Sequence, residues 1–240
     1  MANDKEGSRP PPGRRWFQFP LATLLLLILW VATLVAWQRE RLLGWAKSLW
    51  PKTVVEQPDP FPCVVFHTSM GDIMVRLNAE KAPVTVENFL RYVDEGFYND
   101  TIFHEVRRGD VIIGGGFRAD LQEKPTPRGP IRNEAGNGLK NVRGAIAMVR
   151  RPDVIDSSTS QFFFDLADNS DYLDPLPLQP GEQREQFPEK YGYCVFGEVI
   201  EGMDVLEEIS IREVSDSGSQ FAFLPKRLVV IKSVERVRRK

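Results

Sequence analysis

Residues 103–117 read FHEVRRGDVIIGGGF, and residues 160–164 read SQFFF. The first stretch sets Glu105 and Arg107 two apart in an extended run, so their side chains share one face. A guanidinium supplies N–H donors, whereas an ionised carboxylate only accepts. Such a pair offers either an aimed donor or a closed ion pair. The second stretch sets the amide of Gln161 beside aromatic rings. Gly114-Gly115-Gly116 has no Gly-Lys-Ser/Thr after it, so it reads as a sharp bend and not as a phosphate loop. His67 and His104 have no partnered cysteines or clustered acids, so no metal is expected. There is no Gly-x-Ser-x-Gly and no assembled nucleophilic triad. No cofactor is expected.

These residues need strands to hold them. Cys63–Thr68 and Asp72–Leu77 read as strands joined at Ser69-Met70-Gly71, where Gly71 suits a tight hairpin. A helix runs from Pro83 towards Gly96, with Val86, Phe89, Leu90, Val93 and Phe97 on one face. Thr101–Val106, Val111–Gly114, Ala145–Val149, Gln161–Leu166 and Tyr193–Glu198 read as strands, with a loop over Gly136–Gly144. Gly202 precedes a short helix, Met203–Ile209, and Leu228–Val237 is a closing strand. Many strands with one helix early and one late fit a closed β-barrel capped by helices.

Composition is that of a globular protein, with 42% apolar and 27% charged residues. Charge is uneven. Residues 1–55 hold eight basic and three acidic side chains in a chain of net charge −2, so the rest is acidic. An acidic folded part argues against nucleic acid as partner. Cys63 and Cys194 make neither a disulfide framework nor a zinc pattern. They read as two buried free thiols, with one disulfide as the alternative in an oxidising compartment. The basic end, Arg236 with Arg238, Arg239 and Lys240, reads as a solvated tail.

Residues 1–15 are polar, contain three consecutive prolines and are expected to be disordered. Residues 16–37 carry no charge over 22 positions, enough to span a hydrocarbon core of about 30 Å as a helix. Trp16, Phe17 and Trp37 stand where interfacial aromatics belong. The rival reading is a cleaved signal peptide, since Arg14-Arg15-Trp16-Phe17 resembles a twin-arginine signal. The long apolar run and the lack of a small residue two before Ala36 favour an uncleaved single-pass anchor. Leu42, Leu43, Trp45, Ala46, Leu49 and Trp50 recur at helical spacing, either as a surface helix or as an extension of the spanning one. Pro58-Asp59-Pro60 closes a juxtamembrane and linker segment, 38–60, and the globular part occupies 61–240. Flanking basic residues are nearly balanced; the expected arrangement puts the amino terminus in the cytoplasm and the globular domain outside.

FHEVRRGDVIIGGGF and SQFFF each resemble a signature of the cyclophilins, the peptidyl-prolyl cis-trans isomerases. HTSMGDIMVRL, KAPVTVENFLRYVDEGFYNDTIFHEV, IRNEAGNGLKNVRGAIAM and YGYCVFGEVIEGMDVLEEI are similar to the bacterial members in order and spacing. The likeness covers residues 64–237. It implies a mainly β fold: a closed eight-stranded antiparallel barrel with two capping helices, here preceded by the transmembrane helix. It also implies a substrate groove on the outer wall of the barrel and proline-containing polypeptides as partners.

The chemistry implied is modest. An X–Pro bond prefers trans by only about 0.5–1 kcal/mol, while amide resonance sets a barrier of about 18–20 kcal/mol. A catalyst need only seat the proline ring and stabilise the twisted amide, chiefly with a donor aimed at its nitrogen. The resemblance assigns that donor to an arginine directly after Phe-His, and Glu105 stands there. It places Asp110 at a floor phenylalanine, Val111 at the next floor position and Ile113 at a glutamine. Gln161 is the backbone-orienting amide, Phe163 a pocket wall and Leu173 the pocket leucine. Tyr172 stands for a tryptophan, Tyr193 for a histidine, Arg150 for an asparagine and Val149 for a small alanine. Arg107, Arg150 or Arg151 are the substitute donors within reach. A Pro- and charge-rich insertion, residues 175–190, falls beside the groove.

The expected function is isomerisation of X–Pro bonds in unfolded or exported polypeptides. The alternative is a catalytically weak cyclophilin that binds proline segments as a holdase or scaffold, motivated by Glu105 and Asp110. A third reading leaves the groove unused and makes residues 175–190 a contact within a membrane complex.

Overall fold

The structure, a computed structural model, describes residues 21–49, 59–183, 186–215 and 221–237. It divides into two units, Met1–Gln57 and Pro58–Lys240. The disordered start over 1–15 and the last three residues of the basic tail lie outside the described residues.

The described residues of the first unit form one helix, α1, Leu21–Leu49. It absorbs the second helical pattern, so Leu42–Leu49 extend α1 and do not form a separate helix. The expected transmembrane helix needs correction. Residues 16–20 of the span lie outside the described set, and α1 runs on through Arg39, Glu40 and Arg41. Among the described residues, no helix is long and apolar enough to cross a membrane.

Among its described residues the second unit has ten strands. They are β1 Cys63–Thr68, β2 Asp72–Leu77, β3 Thr101–Val106, β4 Val111–Arg118 and β5 Ala145–Met148. Then come β6 Phe162–Asp165, β7 Val195–Glu201, β8 Val214–Ser215, β9 Leu224–Pro225 and β10 Val229–Arg236. Eight of them close an antiparallel barrel in the order β1-β10-β3-β4-β6-β5-β7-β2, while β8 and β9 pair separately. β1 buries every second residue, Val64, Phe66 and Thr68, as a strand with one face inward must. The β1–β2 turn closes with Thr68 N–H donating to Gly71 O at 3.1 Å.

Helices α2 (Pro83–Asp94) and α4 (Met203–Ser210) each bury one face in the barrel core. α2 starts at Pro83, which lacks only an N–H that no helix would use. Its Phe89 packs on Phe66, Phe162 and Phe196, with ring centroids 5.2–6.1 Å apart. Phe162 and Phe164 point into this core, while Phe163 between them points out.

Three expectations shift. β4 does not stop at Gly114 but continues through all three glycines to Arg118. The space a side chain would need is taken by Phe103 at Gly114, by Phe162 and Tyr98 at Gly115, and by Gln161 at Gly116. Only Gly115 has a positive φ, +83°, and β3 bulges opposite this run. β7 begins at Val195 and not at Tyr193, because the Tyr193 N–H donates to Leu173 O at 2.8 Å instead. A four-residue helix, α3 Ser170–Leu173, and the β8–β9 hairpin were not expected. Both cysteines are free thiols; Cys194 is buried as read, whereas Cys63 is only partly so.

Candidate functional site

Register lays one row of side chains across the outer wall. Glu105 pairs with Ile113, Ile113 with Phe163, Phe163 with Ala147, and Ala147 with Val195. Directly paired antiparallel residues face the same side, so this row is one surface. Phe163, Ala147 and Val195 form a second apolar cluster with Val111 and Ala145, apart from the barrel core. Phe163 is 3% exposed, so this wall is roofed over.

Three segments supply the roof. α3 brings Tyr172 and Leu173, the segment leading into β7 brings Tyr193, and the two residues after β5 bring Val149 and Arg150. The Phe163 and Tyr193 rings meet edge-on, 5.7 Å apart at 81°. Between them lies a cavity of about 130 Å³. Arg107, Val111, Val149, Arg150, Phe163, Tyr172, Leu173 and Tyr193 all line it, together with Asp110 and Ile113. A larger cavity, about 620 Å³, lies between β2, β7 and residues 139–144, and none of these residues lines it. Chemistry, not size, therefore picks out the site.

Two of the expected residues stand apart from the lining. Glu105 is turned to Arg107, whose Nε donates to Glu105 Oε1 at 2.6 Å. Gln161 lies across β4, filling the space above Gly116. Arg107 is not in a strand, as read, but opens the β3–β4 turn; its N–H still donates to Val111 O at 2.9 Å. The guanidinium also lies 4.0 Å from Asp110 Oδ2 and 5.5 Å from the Phe223 ring centre. Asp110 Oδ1 accepts from the Tyr172 hydroxyl. Burial and the adjacent Asp110 carboxylate both push the Tyr172 phenol above its ordinary range.

Arg150 does not reach towards a substrate amide. Its Nε donates to Gly192 O at 2.8 Å, and its Nη2 to Pro188 O at 2.7 Å. Its Nη1 donates to Arg151 O and Pro152 O at 3.0 and 3.1 Å. Four of the five N–H groups of a guanidinium are thereby used. Arg151 is drawn off by Asp153, 3.0 Å away.

Sequence reasoning missed what holds α3. Asn169, just before it, donates from Nδ2 to Asp165 Oδ1 at 2.7 Å and to Asp110 O at 3.2 Å. Asp174, just after it, accepts from Asn141 N–H and Nδ2, both at 2.8 Å. Asp165 is fully buried, and desolvation first, then the nearby Asp110, Asp174 and Asp168, push its carboxyl up to about 7. The one signal was Asp165 in the midst of FFFDLA, a carboxylate two residues after the wall phenylalanine and so on the same face. Among the described residues, no group of three or more His, Cys, Asp or Glu could hold a metal ion.

The comparisons agree with this geometry. The family model of cyclophilin type peptidyl-prolyl cis-trans isomerase/CLD matches residues 63–236. The chain is 47% identical to peptidyl-prolyl cis-trans isomerase B of Escherichia coli K12, over 71% of this chain and 97% of that protein. It is 43% identical to peptidyl-prolyl cis-trans isomerase A of Dickeya dadantii, over 73% of this chain and 85% of the relative. Its fold is similar to that of a cyclophilin type peptidyl-prolyl cis-trans isomerase of Cryptosporidium parvum. That likeness has TM-score 0.57 and 22% identity and covers 75% of this chain and 99% of that one. A crystal structure of the same parasite protein in the presence of the dipeptide Ala-Pro gives TM-score 0.55. With its barrel, its outer-wall cavity and these relatives, the chain belongs to the cyclophilin-type peptidyl-prolyl cis-trans isomerases.

Proposed function

We propose that this protein isomerises X–Pro bonds in extended polypeptides, with Arg107 as the donor to the twisting amide. The observation that carries this reading is that Arg107, and not Glu105, lines the cavity. Its Nε is committed to Glu105, which leaves the Nη groups free of that bond. The proline ring seats among Val111, Phe163 and Leu173, and Gln161 orients the substrate backbone. As the C–N bond turns, resonance is lost and the nitrogen lone pair becomes an acceptor. An N–H aimed there binds the twisted state more tightly than either planar isomer, and this lowers the barrier. No covalent bond forms or breaks and no proton is transferred.

The test is NMR exchange between cis and trans forms of a short Ala-Pro peptide with a catalytic amount of protein. The native protein accelerates exchange, and Arg107→Ala removes about tenfold or more of the acceleration. Equal rates for the two proteins would remove Arg107 from the chemistry.

The ion pair itself favours a second reading. A guanidinium that stays with Glu105 and Asp110 leaves a groove that binds proline segments without turning them, as a holdase or scaffold would. Peptide binding without acceleration by the native protein, with acceleration gained in Glu105→Arg, would select this reading.

We further propose that the clients are unfolded or newly exported chains and that residues 16–37 tether the protein to a membrane, with the globular domain extracytoplasmic. The support is the 22-residue uncharged stretch and the exposure of Leu25–Leu29, Val35 and Trp37 on α1. Alkaline extraction of membranes tests the tether, and release into the supernatant would end it. Protease added to intact cells or vesicles tests which side carries residues 61–240.

A further inference from the structure

Arg150 is 5% exposed, and none of the four groups its N–H donors reach is a carboxylate. Burial pulls its pKa down, yet every acceptor is one that a guanidinium cation satisfies well. Burying a cation without a counter-ion is costly unless good hydrogen bonds replace its hydration. The Pro188 carbonyl belongs to the returning end of the 175–190 insertion and that of Gly192 lies just past it, while those of Arg151 and Pro152 belong to the loop that follows β5. The guanidinium also lies 4.9 Å over the Tyr193 ring, which is the edge-on partner of Phe163.

The two ends of the insertion meet at this point. Leu176 N–H donates to Lys190 O at 3.0 Å. At Gly192, φ is +84° and an added Cβ would come within 2.5 Å of the Pro175 nitrogen. The described ends of the insertion thus meet at a neck clamped by Arg150, and Tyr193, three residues past Lys190, is a wall of the cavity. Lys190 reaches back to Glu182 at 2.8 Å, which ties the body of the loop to the neck.

We propose that Arg150 is a positioning residue: it sets Tyr193 in the groove wall and fixes the 175–190 insertion beside it, so that the insertion selects which residues may flank the bound proline. This rests on the groove being the peptide site, as proposed above, but not on any rate acceleration. Lysine at this position keeps the charge but cannot serve four carbonyls in one plane.

The experiment is an NMR titration of the full chain with short peptides of the form Ala-Xaa-Pro-Ala, Xaa being Ala, Leu, Glu or Lys, read at Phe163 and Val111. Three proteins are compared: native, Arg150→Lys, and a shortened form in which residues 177–187 are replaced by two glycines, leaving the Pro188 and Gly192 carbonyls in place. In Arg150→Lys the Kd for the Ala peptide is expected to weaken about fivefold or more, with Tyr193 ring signals displaced. The shortened form is expected to bind the Ala peptide within about twofold of native but to lose discrimination among the four. Native affinities in Arg150→Lys, or native discrimination in the shortened form, would overturn the inference. If Arg150→Lys does not fold, the shortened form alone decides. Peptides that disturb neither Phe163 nor Val111 in the native protein would overturn the groove itself, and the inference with it.

Discussion

The Glu105 carboxylate accepts from Arg107 Nε at 2.6 Å, so the residue at the family's arginine position restrains the arginine two places on. Arg107 is about half exposed and Glu105 21% exposed, so the pair is worth no more than about 1 kcal/mol. Glu105→Gln weakens that hold while keeping an acceptor of the same size. The rate for an Ala-Pro peptide is then expected to rise by about two- to fivefold. A slower Glu105→Gln protein would give the carboxylate a direct part in the reaction and end the restraint argument.

Gln161 owes its place to Gly116. A Cβ on Gly116 would fall 2.5–2.7 Å from the Gln161 side chain, which is flexible enough to move aside. Gly116→Ala is therefore expected to shift the melting temperature by only a few degrees while weakening peptide binding about fivefold. An unaltered KM would show that Gln161 takes no part in orienting the substrate.

Two buried groups pull the pH dependence of stability in opposite directions. Burial lowers His104 to about 4, so between pH 6.5 and 4 the folded state binds fewer protons than the unfolded one, and acid destabilises it. Asp165 is raised to about 7, so between its ordinary 3.8 and about 7 the folded state binds more protons, and rising pH destabilises it. Their contributions cancel over roughly pH 4–6.5. Asp165→Asn is expected to leave stability that rises with pH by roughly 3 kcal/mol across this window, and His104→Asn stability that falls by a similar amount. Urea midpoints at pH 4.5, 5.5 and 6.5 read both; identical profiles in native and Asp165→Asn proteins would contradict the assignment.

The thiols should separate cleanly. Cys194 is 3% exposed, its thiol is pushed up to about 11 chiefly by burial, and it sits 3.4 Å from Thr85 Oγ1. Cys63 is only partly buried. One rapid equivalent of alkylation per native chain at pH 8, located on Cys63, is expected. Labelling of Cys194 on the same timescale would contradict its burial.

What the sequence disclosed followed from periodicity and from short-range motifs. The alternation in Cys63–Thr68, the single apolar face from Val86 to Phe97 and the separate motif matches placed nearly every barrel strand, because those signals lie within one element. Eight of the ten expected site residues line one cavity, since register carries Ile113, Phe163 and Ala147 side by side once the strands are paired. The rest depended on partners far along the chain. Nothing local marks Arg150 as bound to carbonyls 38 and 42 residues away, or Asp165 and Asp174 as the supports of α3. Glu105 and Arg107 were legible as a pair, but the turn that begins at Arg107 decided which of them faces the cavity.

Closure of the barrel has a consequence for a protein proposed to work among unfolded chains. Each of the eight barrel strands is hydrogen-bonded on both sides, and the remaining described strands, β8 and β9, are two residues long. Among the described residues, a partly folded client therefore finds no row of unpaired backbone groups on which to add a strand of its own. Proline-containing segments can be gripped only through side chains and loop groups on the outer wall, contacts that let go readily. The architecture thus lets the protein handle sticky polypeptides repeatedly without becoming a seed for their aggregation.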